Sequence, residues 1–171
     1  MKKDILLVDG YNVIGAWQEL RKLKEKRLAD ARDRLVEQMA EYKAHTGWRV
    51  IIVFDAHLVP GTEKKKRHHD VEVVFTRKKE TADERIERLV SELGGRRVQI
   101  HVATSDLTEQ WVIFAQGALR KSSRELEIEM KEIDKVISRK VKKYQEQQPS
   151  SKIPLTDEVA EIFEKWRRGM K

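Results

Sequence analysis

Short apolar segments alternate with helical patterns along the chain, and this alternation restricts the possible folds more than any other feature. Four segments have the composition of buried β-strands: 3–9, 48–54, 71–76 and 98–103. Helical spacing of apolar residues is found in 18–46, in 82–93 and in a segment that begins at 104–106. Strands that alternate with helices predict an α/β fold with a mainly parallel sheet.

The rest of the chain has helical composition. A long helix is expected from about 122 to 147, and a last helix is expected to begin at Thr156. Between them, residues 147–151 carry Pro and Ser and predict a break. We therefore expect one domain over 1–147, followed by a linker and a terminal helix over 148–171.

Positive charge is concentrated in two segments. The 171 residues carry a formal net charge of +7. Residues 62–79 hold seven basic and three acidic residues, and residues 118–171 hold fourteen and ten, so each segment has a charge of +4. The remaining residues together carry −1. A slightly acidic body with basic segments beside it suits a metal-dependent enzyme that acts on nucleic acid.

Several classes of protein are excluded by what the sequence lacks. The chain has no cysteine, which rules out a disulfide framework, a thiolate zinc site and a cysteine nucleophile. The apolar run of residues 5–8 is too short for a signal-peptide core or a membrane span, so we expect a cytoplasmic protein without membrane contact. The phosphate-binding loop, the dinucleotide fingerprint and the nucleophile elbow are also missing from the sequence.

Aspartates stand where predicted strands end or the next helix begins. They are Asp9, Asp55, Asp83 and Asp106. Ligands of open α/β sheets bind at the carboxyl ends of the strands, so these carboxylates are expected to converge on a divalent cation such as Mg²⁺. Each also has a structural alternative, because Asp9 suits a turn, Asp55 suits the end of a strand and Asp106 suits a capping box. Asp83 lies within a capping box formed by Thr81 and Glu84.

Four motifs together resemble the YacP-type NYN domain family, a branch of the PIN-like nucleases. They are VDGYN (8–12), FDA (54–56), VVFTRKKETADERIE (73–87) and ATSD (103–106). The resemblance covers nearly the whole chain and is weakest beyond about residue 145. It implies a PIN-like three-layer α/β/α sandwich with a mainly parallel central sheet and a helical C-terminal extension. It also implies RNA cleavage with Mg²⁺ or Mn²⁺, and bacterial members include a ribosome-associated endoribonuclease that cuts mRNA in the A site.

The resemblance also implies roles for individual residues. The implied metal ligands and catalytic acids are Asp9, Asp83, Asp106 and, as a fourth candidate that binds the metal or lies beside it, Asp55. Asn12 matches the asparagine of the family and is expected to orient Asp9 or a metal-bound water. Ser105 is expected to bind a water or a phosphate, and Glu84 is expected to support the metal site without binding the ion.

Basic residues near these acids are expected to neutralise RNA phosphates without reading sequence. The expected RNA-binding residues are Lys64, Lys65, Lys66, Arg67, Arg77, Lys78, Arg120 and Arg124. The first four lie in a segment, 57–70, that is predicted to be a polar loop, and a solvated charged loop is the alternative interpretation. Tyr11 is expected either to stack on a base or to pack in the core.

These observations predict a metal-dependent endoribonuclease, and the resemblance implies that it cleaves mRNA in association with the ribosome. A metal-activated water is expected to attack the phosphodiester, and the protein is expected to act as a monomer. Two alternatives remain open: a catalytically inactive RNA-binding or ribosome-binding module of the same fold, and a phosphohydrolase for small nucleotides. The basic loop and tail favour a polymeric substrate.

Overall fold

The computed structural model describes residues 2–56, 70–105 and 116–147, together with the backbone of residues 65–68. By its internal contacts the chain divides into two units, Met1–Ile133 and Asp134–Lys171. The first unit contains the sheet and the motifs identified above. The described part of the second unit is helical.

Six strands of the described residues form one sheet. They are β1 (Lys3–Asp9), β2 (Arg49–Phe54), β3 (Lys65–His68), β4 (Val71–Phe75), β5 (Val98–Ala103) and β6 (Leu119–Lys121). The strand order is β3-β4-β2-β1-β5-β6, and all neighbours are parallel except β3 and β4. The predicted α/β fold with a mainly parallel sheet is therefore confirmed.

The described helices connect these strands and cover the sheet. They are α1 (Gly10–Ala16), α2 (Gln18–Lys26), α3 (Leu28–Thr46), α4 (Ala82–Leu93) and α5 (Ser123–Gln147). Side chains of β1 alternate between two cores: Leu6 and Val8 pack with α1, α2, α3 and the start of α5, whereas Ile5 and Leu7 pack with α4. Because both faces of β1 are covered, its apolar run is continuous rather than alternating.

Three local features differ from the sequence-based expectation. The helical pattern over 18–46 is two helices, because Arg27 adopts an extended backbone with φ −150° and ψ 123°. The expected basic loop contains β3, which pairs antiparallel with β4 at the sheet edge. The short strand β6 was not expected. Neither β3 nor β6 has the alternating apolar residues that predict a strand, and each is held by backbone pairing.

Two predicted helices lie outside the described residues: the one expected after 104–106 and the one expected from Thr156. Among the described helices, none combines the length and the hydropathy that a membrane span requires. On α5, the apolar side chains of Ile137, Val141 and Tyr144 are exposed.

Candidate active site

The candidate site lies at the carboxyl ends of the three central strands. Asp9 is the last residue of β1 and is in register with Val53 of β2, while Val8 is in register with Ala103 of β5. Asp55 lies two residues after Val53, and Ser105 lies two residues after Ala103. Because the three strands are parallel, their ends bring the motifs VDGYN, FDA and ATSD to one edge of the sheet.

Asp9 is a buried carboxylate, with only 7% of its surface exposed. It follows Ile5 and Leu7 in the strand alternation, so it belongs to the face of β1 that α4 covers. Thr104, just after β5, donates a hydrogen bond from Oγ1 to Asp9 Oδ2 at 3.3 Å. A buried carboxylate requires such donors or a cation, because burial removes its hydration.

Asp55 is half-buried and follows β2 in a segment that is held by Thr76. The backbone N–H of Thr76 donates to the Phe54 carbonyl at 3.0 Å. In return, the Thr76 hydroxyl accepts a hydrogen bond from the Ala56 N–H at 2.8 Å. Thr76 is fully buried, so these two bonds fix the backbone on both sides of Asp55.

Asn12 joins three segments of the site through its side-chain oxygen. Asn12 Oδ1 accepts hydrogen bonds from the Ser105 N–H at 2.7 Å and from the Ser123 hydroxyl at 2.9 Å. The carbonyl of Ser123 in turn accepts a hydrogen bond from the Trp17 indole at 2.7 Å. Asn12 therefore orients the Ser105 peptide, which precedes Asp106 in the chain. Among the described residues, its side-chain oxygen bonds to Ser105 and Ser123 and not to Asp9.

The segment that carries Asp83 is anchored at the start of α4. Thr81 Oγ1 accepts a hydrogen bond from the Glu84 N–H at 3.2 Å, which makes Thr81 the N-cap as the capping box predicts. Asp83 is half-buried in the first helical turn, and Glu84 is exposed. The buried guanidinium of Arg85 pairs with Glu80, and Arg88 pairs with the same carboxylate at 3.0 Å.

Tyr11 lies between the acidic residues and α3. Its ring packs on Phe54 with centroids 5.0 Å apart, and its hydroxyl accepts a hydrogen bond from Arg32 at 3.1 Å. Burial raises the pKa of the Tyr11 hydroxyl, the bond and charge of Arg32 lower it, and the carboxylate of Asp55 raises it. Core packing of Tyr11 is thus observed, while stacking on a base stays a prediction.

The remaining predicted residues are distributed as follows. Asp106 and Lys64 lie outside the described residues, and Lys65, Lys66 and Arg67 are described only as backbone of β3. Arg77, Lys78, Arg120 and Arg124 are exposed. Among the described residues alone, no group of three His, Cys, Asp or Glu side chains is arranged to hold a metal ion. The four-aspartate metal site therefore remains a prediction that includes Asp106.

Sequence reasoning did not identify four residues that shape this site: Thr76, Thr104, Ser123 and Arg32. Thr104 and Ser123 lie within or beside the motifs, and their short hydroxyl side chains are the signal that was available. Thr76 is the polar last residue of the predicted strand 71–76. Arg32 carries no local signal, because its contact with Tyr11 joins residues 21 positions apart.

A mainly parallel sheet with helices on both faces, and with acidic residues after its central strands, defines an α/β protein of the NYN and PIN-like class. The family model of the YacP-like NYN domain matches residues 6–168, and the chain belongs to this family. Membership implies a nuclease-type function with RNA as the substrate. NYN and PIN-like nucleases typically depend on divalent metals.

Close relatives support this assignment. The chain is 60% identical over 166 residues to YacP of Bacillus subtilis (strain 168), a protein described as uncharacterized; the match covers 97% of this chain and 98% of YacP. The crystal structure of Rae1 (YacP) from Bacillus subtilis has a TM-score of 0.77 at 60% identity, covering 97% of this chain and 95% of that one. A tryptophan-to-leucine variant of Rae1 gives a TM-score of 0.76 at 54% identity, with coverage of 97% and 96%.

Proposed function

We propose that this protein is a metal-dependent endoribonuclease that cleaves mRNA in association with the ribosome, at the A site. One observation carries the proposal: the buried carboxylate of Asp9 lies at the end of the central strand, on the face that α4 covers. Asp55 follows the neighbouring strand, and Asp83 lies in the first turn of α4. Asp106 follows Ser105 directly in the chain.

The donor set suits a hard divalent cation. Carboxylate oxygens are the ligands that Mg²⁺ and Mn²⁺ prefer, and we propose that Asp9, Asp83 and Asp106 hold the ion, with Asp55 as a fourth ligand or a neighbour. When bound, such an ion lowers the pKa of a water and neutralises charge that develops on the phosphoryl group. Glu84 is exposed beside Asp83 and supports the site without a contact to the ion.

The polar residues around the acids keep them in position. Thr104 donates a hydrogen bond to Asp9 and so sets the direction of one carboxylate oxygen. Asn12 holds the Ser105 peptide and thereby the start of the segment that contains Asp106. The hydroxyl of Ser105 is exposed at this edge, where it can bind a water or a phosphate oxygen. These contacts organise the site before substrate arrives, which reduces the cost of reaching the reactive geometry.

Basic segments supply the attraction for the RNA backbone. Arg77 and Lys78 are exposed between β4 and α4, close in sequence to Asp83, and Arg120 and Arg124 are exposed on both sides of the start of α5. Together with Lys64, Lys65, Lys66 and Arg67, these cations are proposed to contact mRNA and ribosomal RNA phosphates. We further propose that the protein acts as a cytoplasmic monomer.

The test is a cleavage assay on ribosome-bound mRNA that compares the wild type with Asp9→Asn and Asp83→Asn. Asn retains the shape of the side chain but loses the charge that binds the cation. We expect cleavage in Mn²⁺ to fall by at least about 100-fold in either variant. The matched control is Asp33→Asn, which neutralises an exposed carboxylate on α3 and is expected to cleave at the wild-type rate.

Product ends test the chemistry separately. Attack by water predicts a 5′-phosphate and a 3′-hydroxyl, whereas a 2′,3′-cyclic phosphate would show that the RNA 2′-hydroxyl is the nucleophile. Undiminished cleavage by a folded Asp9→Asn protein would reject the metal site. RNA binding without cleavage, even on ribosomes, would favour the inactive binding module, and turnover of mononucleotides would favour the small-nucleotide phosphohydrolase.

A further inference from the structure

Arg32 lies beside the candidate active site but belongs to none of its motifs. It is a half-buried residue near the start of α3, and its Nη1 donates a hydrogen bond to the Tyr11 hydroxyl at 3.1 Å. Tyr11 is two residues from Asp9, and its ring packs on Phe54, the residue before Asp55, with centroids 5.0 Å apart. The guanidinium of Arg32 is therefore held at the α3 side of the acidic residues.

The partner of Arg32 is a hydroxyl and not a carboxylate. Arg32 differs in this from three arginines that pair with acids: Arg34 with Glu19, Arg49 with Glu72, and Arg85 with Glu80. The polar contact recorded for Arg32 within the described residues is a neutral hydroxyl. A guanidinium has five N–H donors in a planar fork, and this bond uses one of them. The remaining donors suit an anion with two oxygens, such as a phosphate.

The position of Tyr11 explains how the guanidinium is aimed. Its ring is fixed by packing on Phe54, which in turn stacks on Phe75 with centroids 5.6 Å apart. A hydroxyl on a fixed ring holds Arg32 at one place without neutralising its charge. A carboxylate in the same place would pair with the cation and weaken its attraction for a second anion. The arrangement thus keeps a positive charge available next to a strongly acidic site.

We propose that Arg32, positioned by Tyr11, binds a backbone phosphate of the RNA next to the scissile one. This inference rests on the proposed nuclease function and adds a contact on α3 to those proposed on the basic strand β3. Phosphate contacts of this kind fix the register of the substrate rather than its sequence. An RNA that is held by β3 and by Arg32 has its backbone restrained at two places around the candidate site.

The experiment measures binding of a single-stranded RNA in Ca²⁺, with intact RNA recovered afterwards, for the wild type, Arg32→Gln and Arg32→Lys. Loss of a charge-assisted contact is expected to weaken binding about tenfold in Arg32→Gln, and Arg32→Lys is expected to bind with intermediate affinity. The slope of log affinity against log salt should fall by about 0.7, the value for one phosphate of a single strand. Arg34→Gln removes an equal charge from the same helix and is expected to bind as the wild type does.

A phosphate scan makes the assignment specific. Each RNA phosphate is replaced in turn by an uncharged methylphosphonate, and one replacement should weaken binding to the wild type but not to Arg32→Gln. Tyr11→Phe keeps the ring packing but removes the hydroxyl that positions Arg32. In this variant, replacing the same phosphate is expected to weaken binding less than it does in the wild type. Wild-type affinity in Arg32→Gln, a scan without a coupled position, or no RNA binding by the wild type would each overturn the proposal. The proposed cleavage function is judged independently, by the Asp9→Asn assay, so the two can fail separately.

Discussion

Asn12 and Ser105 are 93 residues apart in the chain, yet the Asn12 side-chain oxygen accepts a hydrogen bond from the Ser105 N–H at 2.7 Å. The same oxygen also accepts a bond from the Ser123 hydroxyl. One amide group therefore ties the first turn of α1, the segment after β5 and the start of α5 together. The candidate site depends on this three-way junction because Asp106 follows Ser105.

Asn12→Ala is expected to destabilise the protein by about 1–3 kcal/mol, because the Ser105 N–H and the Ser123 hydroxyl lose their acceptor. Urea unfolding monitored by circular dichroism measures this change. Asn12→Asp keeps an oxygen acceptor at this position but adds a negative charge three positions after Asp9 in the chain. Its stability is expected to rise more than that of the wild type when Mn²⁺ replaces a chelator. Equal responses of the two proteins to Mn²⁺ would contradict a metal at this edge.

Gly10 is required for packing. It is the first residue of α1, and a Cβ atom at this position would collide with the aromatic ring of Phe54. Gly10→Ala is therefore expected to cost about 1–3 kcal/mol. Gly15 in the same helix has open space around its Cα, so Gly15→Ala is expected to stabilise the protein by about 0.5–1 kcal/mol. Thermal unfolding of both variants provides the test. A loss of stability in Gly10→Ala alone indicates a steric clash, whereas a loss in both indicates that alanine is unfavourable anywhere in α1.

The ion pair of Glu80 and Arg85, which lie on either side of Asp83 in the chain, is expected to contribute more to stability than a typical surface pair. Arg85 has 3% of its side chain exposed and pairs with Glu80, whereas Arg88, which pairs with the same carboxylate, is 39% exposed. Arg85→Gln is expected to cost about 3–5 kcal/mol, because it leaves a buried carboxylate with weaker compensation. Arg88→Gln is expected to cost less than about 1 kcal/mol. Denaturant unfolding of the two variants measures these losses, and an equal loss of stability in Arg85→Gln and Arg88→Gln would refute the prediction.

Tyr42 is expected to make the protein sensitive to alkaline pH. It is fully buried, and its hydroxyl donates a hydrogen bond to Glu129 at 3.0 Å. Burial, followed by the charge of Glu129, raises the pKa of Tyr42 above its ordinary value. The folded protein therefore keeps this proton at a pH where the unfolded chain releases it. The resulting stability is complete below about pH 10 and is lost as the pH rises further.

The variant Tyr42→Phe has no such proton. Its free energy of unfolding is expected to be about 1 kcal/mol lower at neutral pH, since one hydrogen bond is lost. Above about pH 10 it should decline less steeply than that of the wild type. Tyr144→Phe is the control, because Tyr144 is 64% exposed. Urea midpoints measured across this pH range give the comparison, and parallel curves for wild type and Tyr42→Phe would argue against the raised pKa.

The basic strand is expected to provide sequence-independent RNA affinity. Neutralising Lys64, Lys65, Lys66 and Arg67 to Gln should weaken RNA binding and reduce its salt dependence, because fewer counterions are displaced. Metal affinity should not change. The matched variant neutralises four exposed cations of α2: Arg21, Lys22, Lys24 and Lys26. If the two variants weaken RNA binding equally, the RNA is attracted by the net charge of the protein and not by the location of the cations on and beside β3.

Much of the fold could be predicted from local patterns. The apolar runs of β1, β2, β4 and β5 identified the strands, since a strand that is covered on both faces needs a continuous apolar sequence. The Thr81 cap was also readable, because a cap depends on residues three positions apart. In contrast, β3 and the break at Arg27 were missed. β3 is held by pairing with β4, and the break is an extended backbone at the single residue Arg27. Neither changes the local apolar period.

The acids of the candidate site could also be predicted from local sequence, because Asp9, Asp55 and Asp83 follow strands or begin a helix. The residues that contact and position them could not be predicted in this way. The junction at Asn12 and the pairing of Arg32 with Tyr11 join segments that only the strand order brings together. Chain sequence specifies which groups are present and where elements begin and end. Hydrogen bonds between remote groups form only after parallel strands align and helices pack, so the tertiary structure alone decided these contacts.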